Sequence, residues 1–169
     1  MSEIRVVTAT PVTRPARRLV IRRGVTANDY FSYCAEIGCD IWDTLAALPG
    51  RLDDVSFVIL PQSMAAEGKS LAGCAAEMPA GWEGAVPDGC ELIDLPEQEM
   101  LWFQSEPYEK EDEYGLAYSA VASAIAHYRP EHYGLRFACD EAPEFHYGAS
   151  PETGCRQLVP AARIAPAAR

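Results

Sequence analysis

Apolar and polar positions alternate along the first stretch of the chain, and the alternation predicts strand. From Ile4 to Arg23 the residues are β-branched or alternating and are interrupted by Pro11 and Pro15, which fits one long strand broken by a bulge or lying at an edge. Within Arg17–Arg23 the period of two puts Leu19 and Ile21 on one face and Arg18, Val20 and Arg22 on the other, which reads as a solvated sheet edge guarded by arginines. Gly24 ends this strand. Thr26, with Asp29 three residues on, resembles a weak capping box, and Tyr30, Cys34, Ile37, Ile41, Leu45 and Leu48 then recur at helical spacing until Pro49 and Gly50. This predicts one helix over 27–48. Val55–Leu60 and Leu71–Met78 follow as strand-like runs around a polar connection, and they should pair as an antiparallel ribbon.

The order then repeats. Cys90–Leu95, Pro96 and Glu99–Ser105 again read as a strand with a proline break, and Tyr114, Ala117, Val121, Ala124 and Tyr128 mark a second helix over 112–128, closed by Arg129 and Pro130. Short strands near Tyr133–Cys139, Glu144–Tyr147 and Cys155–Pro160 complete the second half, and the tail after them should fray. The predicted fold is α+β: duplicated strand-helix-strand-strand modules, about 3–80 and 88–162, forming one curved antiparallel sheet with two long helices on one side. Neither half buries enough alone, so residues 1–169 are expected to form a single domain, with a ligand groove along its pseudo-two-fold axis.

Charge narrows the possible partners. The chain has 169 residues and a net charge of −11, so its surface should repel phosphate backbones and direct nucleic-acid binding is not expected. The balance is uneven, because residues 1–23 hold Arg5, Arg14, Arg17, Arg18, Arg22 and Arg23 against only Glu3. No apolar run approaches the roughly 20 residues that span a bilayer, and the start has no apolar leader block. A cytoplasmic protein is the expectation. Six cysteines would then stay reduced, mostly as small core residues; Cys34 and Cys39, five apart on one helix, should point to different faces. No cofactor fingerprint or zinc spacing is present, so neither cofactor nor metal is expected.

Three segments carry a resemblance: "YFSYCAEIGCDIWDTLAAL" (30–48), "PDGCELIDLPEQEMLWFQSEPY" (87–108) and "HYGLRFACDEAPEFHYG" (132–148). Together they resemble the effector-binding domain of AraC-type transcriptional regulators, the GyrI-like small-molecule-binding family, with "GCDIW" and "ELIDLP" the most specific parts. The resemblance implies an aromatic-lined pocket that takes cationic or amphipathic molecules. It also implies two departures. Relatives carry a helix-turn-helix ahead of this domain, whereas this sequence begins at the first strand, so a role in transcription would need a protein partner. Several relatives place a glutamate where this chain has His146, and Glu144 shares that residue's strand face.

The candidate ligand-binding residues are Trp42, Glu77, Trp102, Tyr114 and His146. Trp42 flanks the apolar stripe of the first helix and can wall a pocket or fill the core. Trp102 and Phe103 occupy opposite sheet faces, so only one can line the groove, and Trp102 is the choice. Glu77 is the one ionisable group in its apolar strand; burial would raise its pKa unless a cation stood near, and a ligand amine could be that cation. His146 would make the site neutral or pH-sensitive. Tyr114 opens the second helix. Tyr108 and Glu109 resemble pairs used for hydrolysis in a few relatives, but adjacent strand residues point apart and their neighbours are charged, so no catalytic residue is assigned. Binding of a small amphipathic or cationic molecule, by a sensor or sequestering protein, is the leading reading. A hydrolase using the same groove, or a module that modulates a partner such as a topoisomerase or transcription regulator, is the alternative.

Overall fold

The computed structural model describes Ile4 and residues 6–165 of the chain; Glu3, Arg5 and the end of the tail lie outside the described residues. The strands are β1 (Val7–Arg14), β2 (Arg17–Arg23), β3 (Ser56–Ile59), β4 (Ala72–Pro79), β5 (Glu91–Leu95), β6 (Gln98–Ser105), β7 (Leu135–Phe137), β8 (Glu144–Ser150) and β9 (Gly154–Arg163), and the helices are α1 (Tyr30–Ile37), α2 (Asp40–Ala46) and α3 (Tyr114–His127). All pairings are antiparallel, in the order β1-β6-β9-β8-β3-β4-β2-β5, with β7 on the far half of β9. That order is a palindrome about the β8–β3 pair. The duplicated, α+β, antiparallel architecture read from the sequence is the observed one.

The proline-broken strands are the frame of the sheet. Val7 pairs with Ser105 and Arg14 with Gln98, while Arg17 pairs with Leu95 and Ile21 with Glu91, so one register runs through both halves of the ribbon. Pro15 and Pro96 both fall in the short unpaired break between these two stretches, where neither is asked to donate to the ladder. Each half thereby lends a strand to the other, since β1 flanks β6 and β5 flanks β2. β2 is accordingly interior, paired on both sides by β4 and β5, which corrects the edge reading; Arg17 and Arg23 are buried. β1 is the edge that tolerates Pro11.

Phe57, His146, Gln157 and Phe103 are successive partners across β3, β8, β9 and β6, and so share one face. Helices cover that face. α1 and α2 pack over Val20, Phe57, Cys74, Ala76 and Met78 through Tyr33 and Leu45, and α3 packs over Phe103, Cys155 and Val159 through Ala117 and Val121. On the opposite face Val58, Phe145, Leu158 and Trp102 form the matching row of a third cluster.

The first helix departs from expectation. Asp29, not Thr26, is its N-cap and forms a capping box with Ser32, while the Glu36 carboxylate accepts hydrogen bonds from the Val25 and Thr26 amides. The helix also breaks at Gly38, whose φ of 95° ends α1 and lets α2 start afresh at Asp40. The break brings the Cys39 thiol into hydrogen-bond contact with Cys34, and this contact raises its pKa. The two cysteines therefore meet rather than diverge. At the chain end β9 runs through Arg163, past the point where fraying was predicted.

Candidate functional site

The face between the two helical layers is a groove of about 940 Å³ whose floor is β3 and β8, the strands at the centre of the palindrome. One wall comes from the start of α1 and from α2, with Tyr30, Phe31 and Trp42; the other comes from α3, with Tyr114, Gly115 and Tyr118. Phe57, Ile59 and His146 form the floor. Tyr30 stands edge-on to both Trp42 and Phe57, at ring-centroid distances of 6.0 and 5.9 Å, and Tyr114 stands edge-on to Tyr118 at 6.3 Å. These contacts fix the walls and leave ring faces open. Phe31 is 77% exposed and Tyr114 51%, so two large aromatics remain uncovered at the mouth.

Polar groups are few. Asp29 is the one formally charged side chain among the lining residues; its role as N-cap, accepting from the Ser32 amide at 2.7 Å, holds its pKa below the usual carboxylate range. His146 lies on the floor with its ring tilted against Phe57, and burial lowers its pKa to about 4, so the imidazole is neutral at physiological pH. Burial raises Tyr118 to about 12, which keeps the phenol protonated. Glu144, two residues before His146, is raised by burial, against a hydrogen bond with Cys139 that acts the other way.

The structure thus brings Trp42, Tyr114 and His146 together and places Glu77 and Trp102 elsewhere. Glu77 pairs across the ladder with Leu19, on the face away from the helices, and is completely buried. Its cations are the protein's own, with Arg17 Nε donating to it at 2.7 Å and Arg14 at 3.2 Å, and the neutral Tyr147 hydroxyl donates as well at 2.5 Å. Trp102 belongs to the same far face, where its Nε1 donates to Gln104 and the Arg156 guanidinium lies 4.8 Å from its ring. Phe103 has the groove's face but is covered by the α3 side, edge-on to Tyr128 at 5.3 Å. Tyr108 is buried in the cluster beneath α3 and Glu109 is exposed, so that pair does not meet the groove.

Several groove residues carried no signal as ligand contacts in the sequence. Tyr30 and Phe57 fit the helical and strand patterns as core, and Phe31 falls off the helix stripe as surface. Tyr147 is the unpaired residue of a β-bulge between His146 and Gly148; its ring lies on the far face, stacked beside Phe145 as alternation dictates.

No protein-family model matches the sequence, and no curated protein matches it as a relative. Solved structures do share the fold. "The structure of SAV2435 bound to tetraphenylphosphonium" aligns with a TM-score of 0.58 and 14% identity, covering 92% of this chain and 94% of that one. The "cryo-EM structure of EcmrR-DNA complex in EcmrR-RPo" aligns with a TM-score of 0.54 and 14% identity over 94% of this chain. This chain spans 58% of the latter protein. The fold is therefore one found in a protein bound to tetraphenylphosphonium and in a protein in complex with DNA. Among the described residues no helix is long and apolar enough to cross a membrane.

Proposed function

We propose that this protein is a GyrI-like binding domain, formed by the whole chain as one unit, that holds a small amphipathic or cationic organic molecule in the groove between its halves. It acts as a cytoplasmic sensor or sequestering protein. The observation that carries the reading is the groove itself: about 940 Å³ walled by aromatic rings from both helical layers, a volume in the range of drug-sized ligand sites. Ring faces attract cations, and the negative net charge and the Asp29 carboxylate at the rim favour the same sign. The structural neighbour with tetraphenylphosphonium supports a lipophilic cation as the first probe. The cysteines are free thiols, as a reducing compartment requires.

Tetraphenylphosphonium and the isosteric anion tetraphenylborate form the test, followed by tryptophan fluorescence and calorimetry. The cation should bind in the micromolar range, about −8 kcal/mol, and the anion more weakly. Trp42→Ala should weaken the cation by about 0.5–2 kcal/mol. Equal affinity for both signs with no effect of Trp42→Ala would refute a cation-selecting aromatic groove.

A further inference from the structure

Beyond its aromatic walls, the groove presents a polar group that has no use within the protein. His146 lies on the floor, and among the described residues neither of its ring nitrogens has a hydrogen-bond partner. A neutral imidazole always carries one N–H donor and one nitrogen lone pair. Any ligand that fills the floor cuts these atoms off from solvent. If it offers nothing in return, the lone pair is left buried and unsatisfied, which weakens binding.

The carboxylates of the region do not fill this role. Asp29 stands at the rim and is occupied as the N-cap of α1, Glu144 is engaged with Cys139, and Glu77 is bound to Arg14, Arg17 and Tyr147 on the other face of the sheet. The acceptor at the floor is therefore the imidazole. It is also held in place: His146 pairs with Phe57 on one side and Gln157 on the other, and the next residue, Tyr147, is tied down through Glu77. Facing it from the α3 wall is the Tyr118 hydroxyl, which lies 3.6 Å from where a Cβ on Gly148 would stand.

Resting on the groove reading above, we propose that His146 is a specificity-determining residue that accepts a hydrogen bond from the ligand, so that the groove selects protonated amines, which carry an N–H, over permanently charged quaternary cations of the same size. An N–H donated from an ammonium to a neutral imidazole is a charge-assisted hydrogen bond, stronger than a neutral one. A trimethylammonium or phosphonium centre gains the same field and the same ring faces but cannot make it.

The experiment uses two fluorescent probes that differ in one group: a dansyl amide with a 3-(dimethylamino)propyl arm, and its trimethylammonium analogue, both monocations on the arm at pH 7.5. The full-length protein should bind the tertiary amine roughly tenfold more tightly, the amount a hydrogen bond to a charged group contributes. His146→Phe should bring the two affinities together by weakening the amine alone, and His146→Gln, which restores an acceptor, should recover part of the difference. Tyr118→Phe should leave it intact. Equal affinities in the unmutated protein would overturn the proposal whether or not any variant folds. So would a preference that persists in His146→Phe, or one that Tyr118→Phe abolishes. If neither probe binds, the groove reading itself fails; if both bind alike, that reading stands and only the assignment to His146 is lost.

Discussion

A histidine held neutral by burial leaves a trace in stability as well as in binding. The unfolded chain takes up a proton near pH 6.5 and the folded His146 only near 4. Between those values the unfolded state binds more protons, so the contribution of the neutral imidazole is complete above pH 6.5 and is lost as the pH falls toward 4. Its full size is on the order of 3 kcal/mol. Glu144, whose pKa is raised by burial, works in the opposite sense. The difference between wild type and His146→Gln in urea unfolding at pH 7 and pH 4.5 isolates the histidine, and the wild type should lose more stability on acidification. The same value means that ligand affinity has no His146 step between pH 5.5 and 7.5. At this scale the sequence told which residues share a strand face, but not which face would be roofed by helices to make a groove. His146 lies on the roofed face and Glu77 and Trp102 on the other, a choice on which alternation is silent.

Among the elements, the proline-broken strands were legible because Pro15 and Pro96 are the only residue type that both bends the ribbon and needs no ladder hydrogen bond there. The interior place of β2 was not, since four arginines in seven residues look like solvent until their partners are known: Arg17 meets the buried Glu77, and Arg23 the Ser70 carbonyl and the partly exposed Glu91. The helix break was hidden as well, because apolar spacing runs smoothly from Tyr30 to Leu48 across Gly38. With φ of 95° and ψ of 159°, Gly38 occupies a region closed to other residues, although a Cβ there would meet nothing within 4 Å. Gly38→Ala should therefore destabilise by about 1–3 kcal/mol through conformation alone. It should also re-aim α2, so that Trp42 fluorescence and cation affinity change with it; unchanged affinity alongside full stability would show that the break does not set the wall.

Across the whole molecule, a buried ionic network on the far face joins the two halves. Arg14 contacts both Glu77 and Asp53, and Arg156 donates to both oxygens of Asp53 while its guanidinium lies 3.8 Å from the Tyr147 ring. Burial pushes Asp53 up, yet hydrogen bonds from Arg156 and the Arg14 charge hold it below the usual carboxylate range. Residues from β1, β2, β4, β8 and β9 meet in this network. Glu77→Ala leaves buried guanidinium groups without their carboxylate and should cost about 3–5 kcal/mol, measured by thermal or urea unfolding, without removing any groove side chain. A loss below about 1 kcal/mol would mean that water or Asp53 takes over its role. The tie was invisible beforehand because its members are separated by up to 142 positions and alternate with apolar neighbours.

The reciprocal loan of β1 and β5 also sets the order in which the protein can come into being. When the ribosome has released the first half, β2 has only one of its two neighbours and β1 has none, because their partners at 91–95 and 98–105 are still to be made. The nascent first half therefore holds one strand, β1, with nothing to pair with, and a β2 whose second side stays open until 91–95 emerges. The complete sheet, and the groove at its centre that both halves line, require the second half as well as the first.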